Sequence, residues 1–285
     1  MADIGIALGS VVIFLFAEGG NIPIGTAFIV GYPVPGTSDR VVPLVVTAKH
    51  VIGDHDKVVA RFTTKEGKQP GTAVYDLQAL RRAGDYWEHQ DRGVDIVVFR
   101  TAHFATAEYQ PVPLNLIASR DDWKSAHIQT TDRVVFPSLL VNFMGLTRNY
   151  PVMRNGTIAL IPTEQVPMKY KVGSKEIVTT QEIVLLDATA IPGASGSPVF
   201  LWPGPRLEGG AFAIGGTKPY VLGVLHGFYP AVPREILEVE SKPTDVGRFF
   251  AENSGVAIIF PSWRLREILE STPVVNRITE ITKLQ

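Results

Sequence analysis

Short apolar runs rich in Val, Ile and Phe, closed by Gly, Pro, Asn or Asp, recur along the whole chain. Runs of this length, with β-branched content and turn residues at their ends, are the pattern of strands rather than amphipathic helices. The first is Gly9–Ala17, which a Glu18-Gly19-Gly20-Asn21 turn returns as a hairpin into Gly25–Tyr32. After a turn-rich loop over Pro33–Arg40 come strands over Val41–Thr47, Val58–Thr63 and Ala73–Tyr75. A short helical turn over Leu77–Ala83 precedes the strand Asp95–Arg100 (D-I-V-V-F-R), which has an acid at its head. Pro111–Asp132 holds few long β runs, and Asp121-Asp122-Trp123 reads as surface, which puts a boundary near residue 125.

The second half repeats the texture. Strands are expected over Arg133–Phe136, Arg154–Ile161, Glu182–Asp187, Ser197–Trp202, Tyr220–Phe228 and Gly255–Phe260. Met153-Arg154-Asn155-Gly156-Thr157 reads as a strand entrance with a turn at Asn-Gly. Pro203–Pro219 reads as a Gly/Pro-rich loop, and Glu235–Asn253 as a charged, partly helical insertion. Ser262–Ser271 has apolar residues at helical spacing behind a serine placed as N-cap, which predicts a closing helix. Pro273–Gln285 alternates weakly and predicts no definite element. The expected units are 1–125, 126–261, and a helix with its tail over 262–285.

Composition narrows the function classes. The 285 residues are 45% hydrophobic, enough for one large domain or two ordinary ones. Net charge is −1, from 27 basic and 28 acidic residues, so neither nucleic acid nor an anionic membrane is an expected partner. The absence of cysteine excludes disulfide scaffolds, thiol catalysis and cysteine-ligated zinc. Ile4–Phe16 is apolar, but Asp3 precedes it without a basic flank, and Gly5, Gly9 and Ser10 interrupt it. It is too short to span a bilayer and lacks the design of a secretory leader, so a cytoplasmic location is expected over secretion.

The chemistry centres on Ile191-Pro192-Gly193-Ala194-Ser195-Gly196-Ser197-Pro198-Val199-Phe200, a tight turn feeding a strand. Glycines on either side of Ser195 let the backbone bend and aim N–H groups at one point, as a developing oxyanion requires. A serine hydroxyl needs an adjacent base, usually histidine, itself held by a carboxylate. Of six histidines, His50 stands where the apolar run Val45-Val46-Thr47 ends in small residues that can present its imidazole. Asp95 opens a strongly apolar strand that would bury it, which is costly without a partner such as an imidazole N–H. Asp91 is the rival acid. His50 and His55 with Asp54 and Asp56 read as a solvated loop, and no metal or cofactor is expected.

These segments resemble those of the chymotrypsin-like (trypsin-like) serine peptidases, in that family's order His, Asp, Ser. T-A-K-H resembles T-A-A-H, V-D-I-V-V-F resembles the D-I-A-L motif, and G-A-S-G-S-P resembles G-x-S-G-[GS]-P. The spacings are 45 residues (95 − 50) and 100 residues (195 − 95). Gly25-Thr26-Ala27-Phe28, Tyr220–Gly227 and Ser254–Ile259 extend the resemblance over nearly the whole chain. It is closest to the bacterial HtrA-type and glutamyl endopeptidases, although no PDZ-sized extension follows. Ala194 replaces the acid of the digestive enzymes, and no Ile-Val-Gly-Gly start exists to pair with it, so activation by a freed N-terminus is not expected.

The resemblance implies an all-β fold of two six-stranded antiparallel β-barrels, the first carrying His50 and Asp95, the second Ser195. It implies a serine endopeptidase acting through an acyl-enzyme, with the Gly193 and Ser195 amides as oxyanion hole. Thr189, Ala190, Ile191, Pro192, Leu225, His226, Gly227 and Phe228 would line the substrate cleft. A small apolar side chain is the expected occupant of the primary pocket, with an acidic one received by His226 as the alternative. The partner is a protein or peptide substrate, and a regulatory protein is a second expected partner. The rival function is a latent or non-catalytic peptide-binding module that needs a partner. An α/β-hydrolase does not fit, because a strand follows Gly196-Ser197 and the order of the three residues is wrong.

Overall fold

The computed structural model describes residues 10–37, 39–202, 204, 206–208, 211–213, 218–230 and 253–283. The first half runs β1 (Val12–Ala17), β2 (Pro23–Pro33), β3 (Val41–Thr47), the single turn α1 (Lys49–Ile52), β4 (Lys57–Phe62) and β5 (Gly71–Asp76). It continues through α2 (Leu77–Ala83), β6 (Tyr86–Glu88), β7 (Val97–Arg100) and β8 (Val112–Pro113). These strands make one eight-stranded sheet, ordered β5-β4-β1-β2-β3-β7-β6, with β8 parallel to β2. The double-barrel class therefore holds with corrections to the first half, which has eight strands rather than six, one of them parallel, and stays open because the edge strands β5 and β6 do not pair. Helix α2 lies between them, packed on both, with the Asp76 carboxylate capping its start and Gly84 ending it in the left-handed region.

The second half begins with α3 (Arg120–Ser125), then β9 (Arg133–Ser138), β10 (Val152–Leu160), β11 (Val166–Val172) and β12 (Lys175–Gln181). It proceeds through β13 (Val184–Asp187), β14 (Pro198–Leu201), β15 (Arg206–Glu208), β16 (Ala211–Ala213), β17 (Val221–Pro230) and β18 (Asn253–Pro261). Helices α4 (Ser262–Leu269) and α5 (Thr272–Lys283) follow. A closed barrel forms in the order β10-β13-β18-β17-β14-β9, and the hairpins β11–β12 and β15–β16 stand outside it.

Every residue of β1 is buried, although a strand covered on one face would alternate. Ile13 and Leu15 pack inside the curled sheet with Val45, Phe62 and Phe99. Phe14 and Phe16 face the other way, into a second core shared with Val135, Phe200 and Phe260 of the barrel and Leu265 and Ile278 of the C-terminal helices. That shared core holds the halves together; emptying such a site by Phe→Ala costs about 3–5 kcal/mol.

Four expectations need correction. Asp121-Asp122-Trp123 is not surface but part of α3, where Ser119 and Asp122 form a capping box and Trp123 is buried. Ser262 does not cap α4; it is the first helical residue, and its hydroxyl accepts from the Trp123 indole N–H at 3.0 Å. Asn155-Gly156 makes no turn, because both residues stay in β10 opposite Val135 and Val134. The tail forms α5, which buries Val274 and Ile278 and pairs Arg277 with Asp85 at 2.9 Å. The expected loop over Pro203–Pro219 carries the β15–β16 hairpin, and Glu235–Asn253 lies outside the described residues except for Asn253.

Candidate active site

Strand register brings His50 and Asp95 together. β3 and β7 are antiparallel neighbours with Thr47 opposite Val97, so the chain just after β3 and the chain just before β7 leave the sheet at the same end. Ala48 starts α1 there, and Lys49 N–H donates to the Asp95 carbonyl at 3.3 Å. His50 N–H donates to Asp95 Oδ1 at 2.8 Å, and its Nδ1 lies 2.6 Å from Oδ2. The rival acid, Asp91, is occupied differently: its carboxylate accepts from Gly93 N–H and from the Gln181 side chain.

The Asp95 side chain is 0% exposed. Burial pushes its carboxyl up, but the charges and hydrogen bonds of His50 and His226 outweigh this and hold it below the ordinary carboxylate range. At His50 burial lowers the pKa, while attraction to Asp95 and the hydrogen bond to it prevail and raise it above 6.5.

Ser195 comes from the turn between β13 and β14. Gly193 and Gly196 have φ of 94° and 86°, conformations that L side chains rarely adopt. A Cβ on Gly196 would stand 2.0 Å from the Thr26 carbonyl oxygen, so this position admits only glycine. The turn closes on itself through Ala194 N–H to Ile191 O and Ser197 N–H to Ala194 O. Gly196 N–H to Leu225 O and Leu225 N–H to Ser197 O then fasten it to β17. Among the described residues, the Gly193 and Ser195 amides donate no backbone hydrogen bond.

Thr26, which is fully buried, joins this turn to the first half. Its N–H donates to Ser195 O at 2.9 Å and its hydroxyl to Gly193 O at 2.7 Å. The same hydroxyl accepts from Leu139 N–H at 2.9 Å, and the Thr26 carbonyl accepts from the Thr47 hydroxyl at 2.7 Å. One β2 residue thus touches the backs of Gly193 and Ser195, the end of β9 and the end of β3. The sequence offers only Gly-Thr-Ala-Phe at that place, with no sign of contacts that span 167 residues.

Two features depart from the expected triad. The Ser195 hydroxyl donates to the His226 main-chain carbonyl at 2.9 Å, and among the described residues it makes no hydrogen bond to His50. The imidazole of His226, expected in the cleft, has its Nδ1 2.5 Å from Asp95 Oδ2. The β17–β18 register shifts between Leu225 and Gly227, and this irregularity sits at His226 itself. The ring stands edge-on to His50, Tyr170 and Phe260, with centroids 5.1, 4.9 and 5.6 Å away.

Of the other expected cleft residues, Leu225 and Ala190 are buried in the barrel core, Thr189 and Pro192 are exposed, and Ile191, Gly227 and Phe228 are half-buried. Arg154, which sequence reasoning passed over, reaches the Thr189 carbonyl at 3.4 Å.

The β11–β12 hairpin was also missed, although V-P-M-K-Y-K-V alternates as a strand should. It reaches back to the first half. Tyr170 donates to Gly93 O at 2.9 Å, Gln181 to Asp91 at 2.9 Å, and Ser174 N–H to Asp54 at 2.6 Å.

His50, Asp95 and His226 also bring three potential metal ligands within 4.8 Å of one another. Ligand atoms around a tetrahedral zinc stand about 3.3 Å apart, given bonds near 2 Å. The contacts of 2.5 and 2.6 Å are hydrogen-bond lengths, and the set fits protons better than a cation. Asp54 and Asp56 are occupied by Ser174 and Gln78.

No family model matches the chain, and no curated protein does. Solved structures do match. The inactive form of the Rv3671c protease of M. tuberculosis is 14% identical, with 93% of this chain and 90% of that chain covered at a TM-score of 0.50. The apo MamO protease domain of Magnetospirillum magneticum is 13% identical, covering 83% of this chain and 98% of its own at 0.46. The HtrA-type protease AlgW with a decapeptide is 10% identical, covering 99% and 67% at 0.45. The fold is that of the chymotrypsin-like serine peptidases.

Proposed function

We propose that the chain is a serine endopeptidase in which Ser195 is the nucleophile, His50 the general base and Asp95 the acid that orients it. The observation that carries this reading is the wholly buried Asp95 carboxylate, bonded to both the backbone and the ring of His50. That bond fixes the His50 tautomer with the proton on Nδ1, leaving Nε2 as the lone pair that faces outward. In this reading the Ser195 hydroxyl would leave the His226 carbonyl and give its proton to that nitrogen while attacking a peptide carbonyl.

The Gly193 and Ser195 amides would hold the oxyanion, where each donor is worth roughly 100- to 1,000-fold in rate. His50 would then protonate the leaving amine, and water would hydrolyse the acyl-enzyme by the same steps in reverse. No cofactor enters these steps. Peptide would lie along Leu225–Phe228 as an added antiparallel strand. Because the His226 Nδ1 is committed to Asp95, we favour a small aliphatic side chain in the primary pocket over an acidic one. A cytoplasmic location remains part of this proposal. Among the described residues, no helix is long and apolar enough to cross a membrane.

A second reading, a latent or binding-only protein that a partner switches on, draws support from the Ser195 hydroxyl being bonded to His226 O rather than to His50. Cleavage of unfolded casein by the purified chain separates the two. Peptide products that vanish in Ser195→Ala support the peptidase, and intact casein beside well-folded wild type supports latency.

A further inference from the structure

Asp95 serves two imidazoles, not one. His50 Nδ1 and His226 Nδ1 lie 2.6 and 2.5 Å from the same oxygen, Oδ2, while Oδ1 accepts the His50 amide. An ionised carboxylate only accepts hydrogen bonds, so each imidazole must present its Nδ1 proton to this oxygen. His226 is held for the task. Its ring is wedged between Tyr170 and Phe260, its side chain is 11% exposed, and its carbonyl takes the Ser195 hydroxyl.

We propose that His226 is a positioning residue that moderates the basicity of His50 by sharing the charge of Asp95. The inference rests on the peptidase reading for its consequence in catalysis, though not for its physics. An N–H donated to Oδ2 draws off part of the negative charge that stabilises the His50 imidazolium. Removing that donor leaves Asp95 to act on His50 alone, so His50 should hold its proton to higher pH. The sign is the same whether His226 is neutral or charged, because either form donates from Nδ1. Among the described residues, the charged and titratable groups around the trio include Tyr170, whose hydroxyl is bonded to Gly93 O and which feels Asp91 and Glu88, and Lys49, bonded to Arg92 O and 3.8 Å from Glu88. Both His226 variants leave these groups unchanged.

The test compares His226→Phe, which keeps a ring between Tyr170 and Phe260 but has no donor, with His226→Asn, whose amide can donate from nearly the place of Nδ1. Histidine titration followed by NMR on the full chain needs no turnover, and the pH profile of peptide hydrolysis is read alongside it. The His50 midpoint should rise by about 0.5–1 pH unit in His226→Phe and stay near wild type in His226→Asn. The acid limb of kcat/KM should move with it, while KM stays in place. A second donor on Asp95 should also appear as a far-downfield Nδ1 proton that is lost in His226→Phe. An unmoved His50 midpoint in folded His226→Phe would overturn the proposal, as would an equal rise in both variants. If the NMR shift occurs but wild type cleaves nothing, the peptidase reading falls and the role of His226 on Asp95 stands. Should His226→Phe fail to fold, His226→Leu takes its place with the same expectation.

Discussion

The two halves of the molecule supply the site in different states of readiness. At the end of the open sheet of the first half, Asp95 already receives both donors of His50 within 2.8 Å, with a third from His226 of the barrel. In the closed barrel of the second half, the backbone around Ser195 is equally well fastened, but the hydroxyl is turned to a main-chain carbonyl. In the proposed triad the Ser195 hydroxyl would have to leave the His226 carbonyl and turn to His50. The closed barrel supplies the rigid turn, and the open sheet supplies the charge. Thr26 is one of the places where the two meet.

The comparison breaks most completely at Ser195. Ser195→Ala should lower kcat on the order of 10⁶-fold while melting close to wild type, since only one part-buried hydrogen bond is lost. Asp95→Asn should come next, with a fall of about 10⁴-fold, because an amide can leave His50 in the wrong tautomer. Steady-state kinetics on one peptide substrate measures both.

Thr26→Val removes the hydroxyl that joins Gly193 O to Leu139 N–H yet keeps the shape of the side chain. A loosened oxyanion turn should lower kcat roughly 10- to 100-fold with KM little changed, and Thr26→Ser should restore most of it. A transition-state analogue such as a peptide aldehyde should lose affinity in the same proportion. Equal loss for an ordinary product peptide would make Thr26 merely structural.

The smallest effect on chemistry is expected at Arg61, a β4 residue only 9% exposed. Its guanidinium donates to the carbonyls of Met144, Gly145 and Leu146 and to Asn149 Oδ1, at 2.8 to 3.2 Å, fixing the β9–β10 loop against the first half. Arg61→Met leaves those acceptors unpaired and should cost about 2–3 kcal/mol in urea unfolding, with kcat nearly intact.

The pairing of His50 with Asp95 and the tight turn at Ser195 were legible because each stands where an apolar strand meets a turn. The six barrel strands of the second half were legible for the same reason, since their apolar runs are short and bounded. His226 was legible as a candidate but not in its contact. A shift of register between Leu225 and Gly227 cannot be read from residue types, and it is in this irregular stretch that the ring meets Asp95 rather than the cleft. Thr26 was hidden because its partners lie far along the chain and its neighbours read as ordinary strand. Helix α5 and the β11–β12 hairpin were within reach of pattern reading: Val274 and Ile278 are four apart, and Met168 and Tyr170 alternate with lysines. The open seam between β5 and β6 was not, because nothing in the strands themselves records that α2 fills the gap.

The most direct test of a coupled Ser195, His50 and Asp95 is the rate of fluorophosphonate labelling of the wild-type chain between about pH 5 and 9. Asp95 raises the His50 pKa above 6.5, and only neutral His50 can take the serine proton. Labelling should therefore map to Ser195, climb with pH through one ionisation whose midpoint lies above 6.5, and disappear in Ser195→Ala and His50→Ala. A folded protein that does not label, or one that labels Ser195 at a rate indifferent to pH and to His50→Ala, would contradict the account.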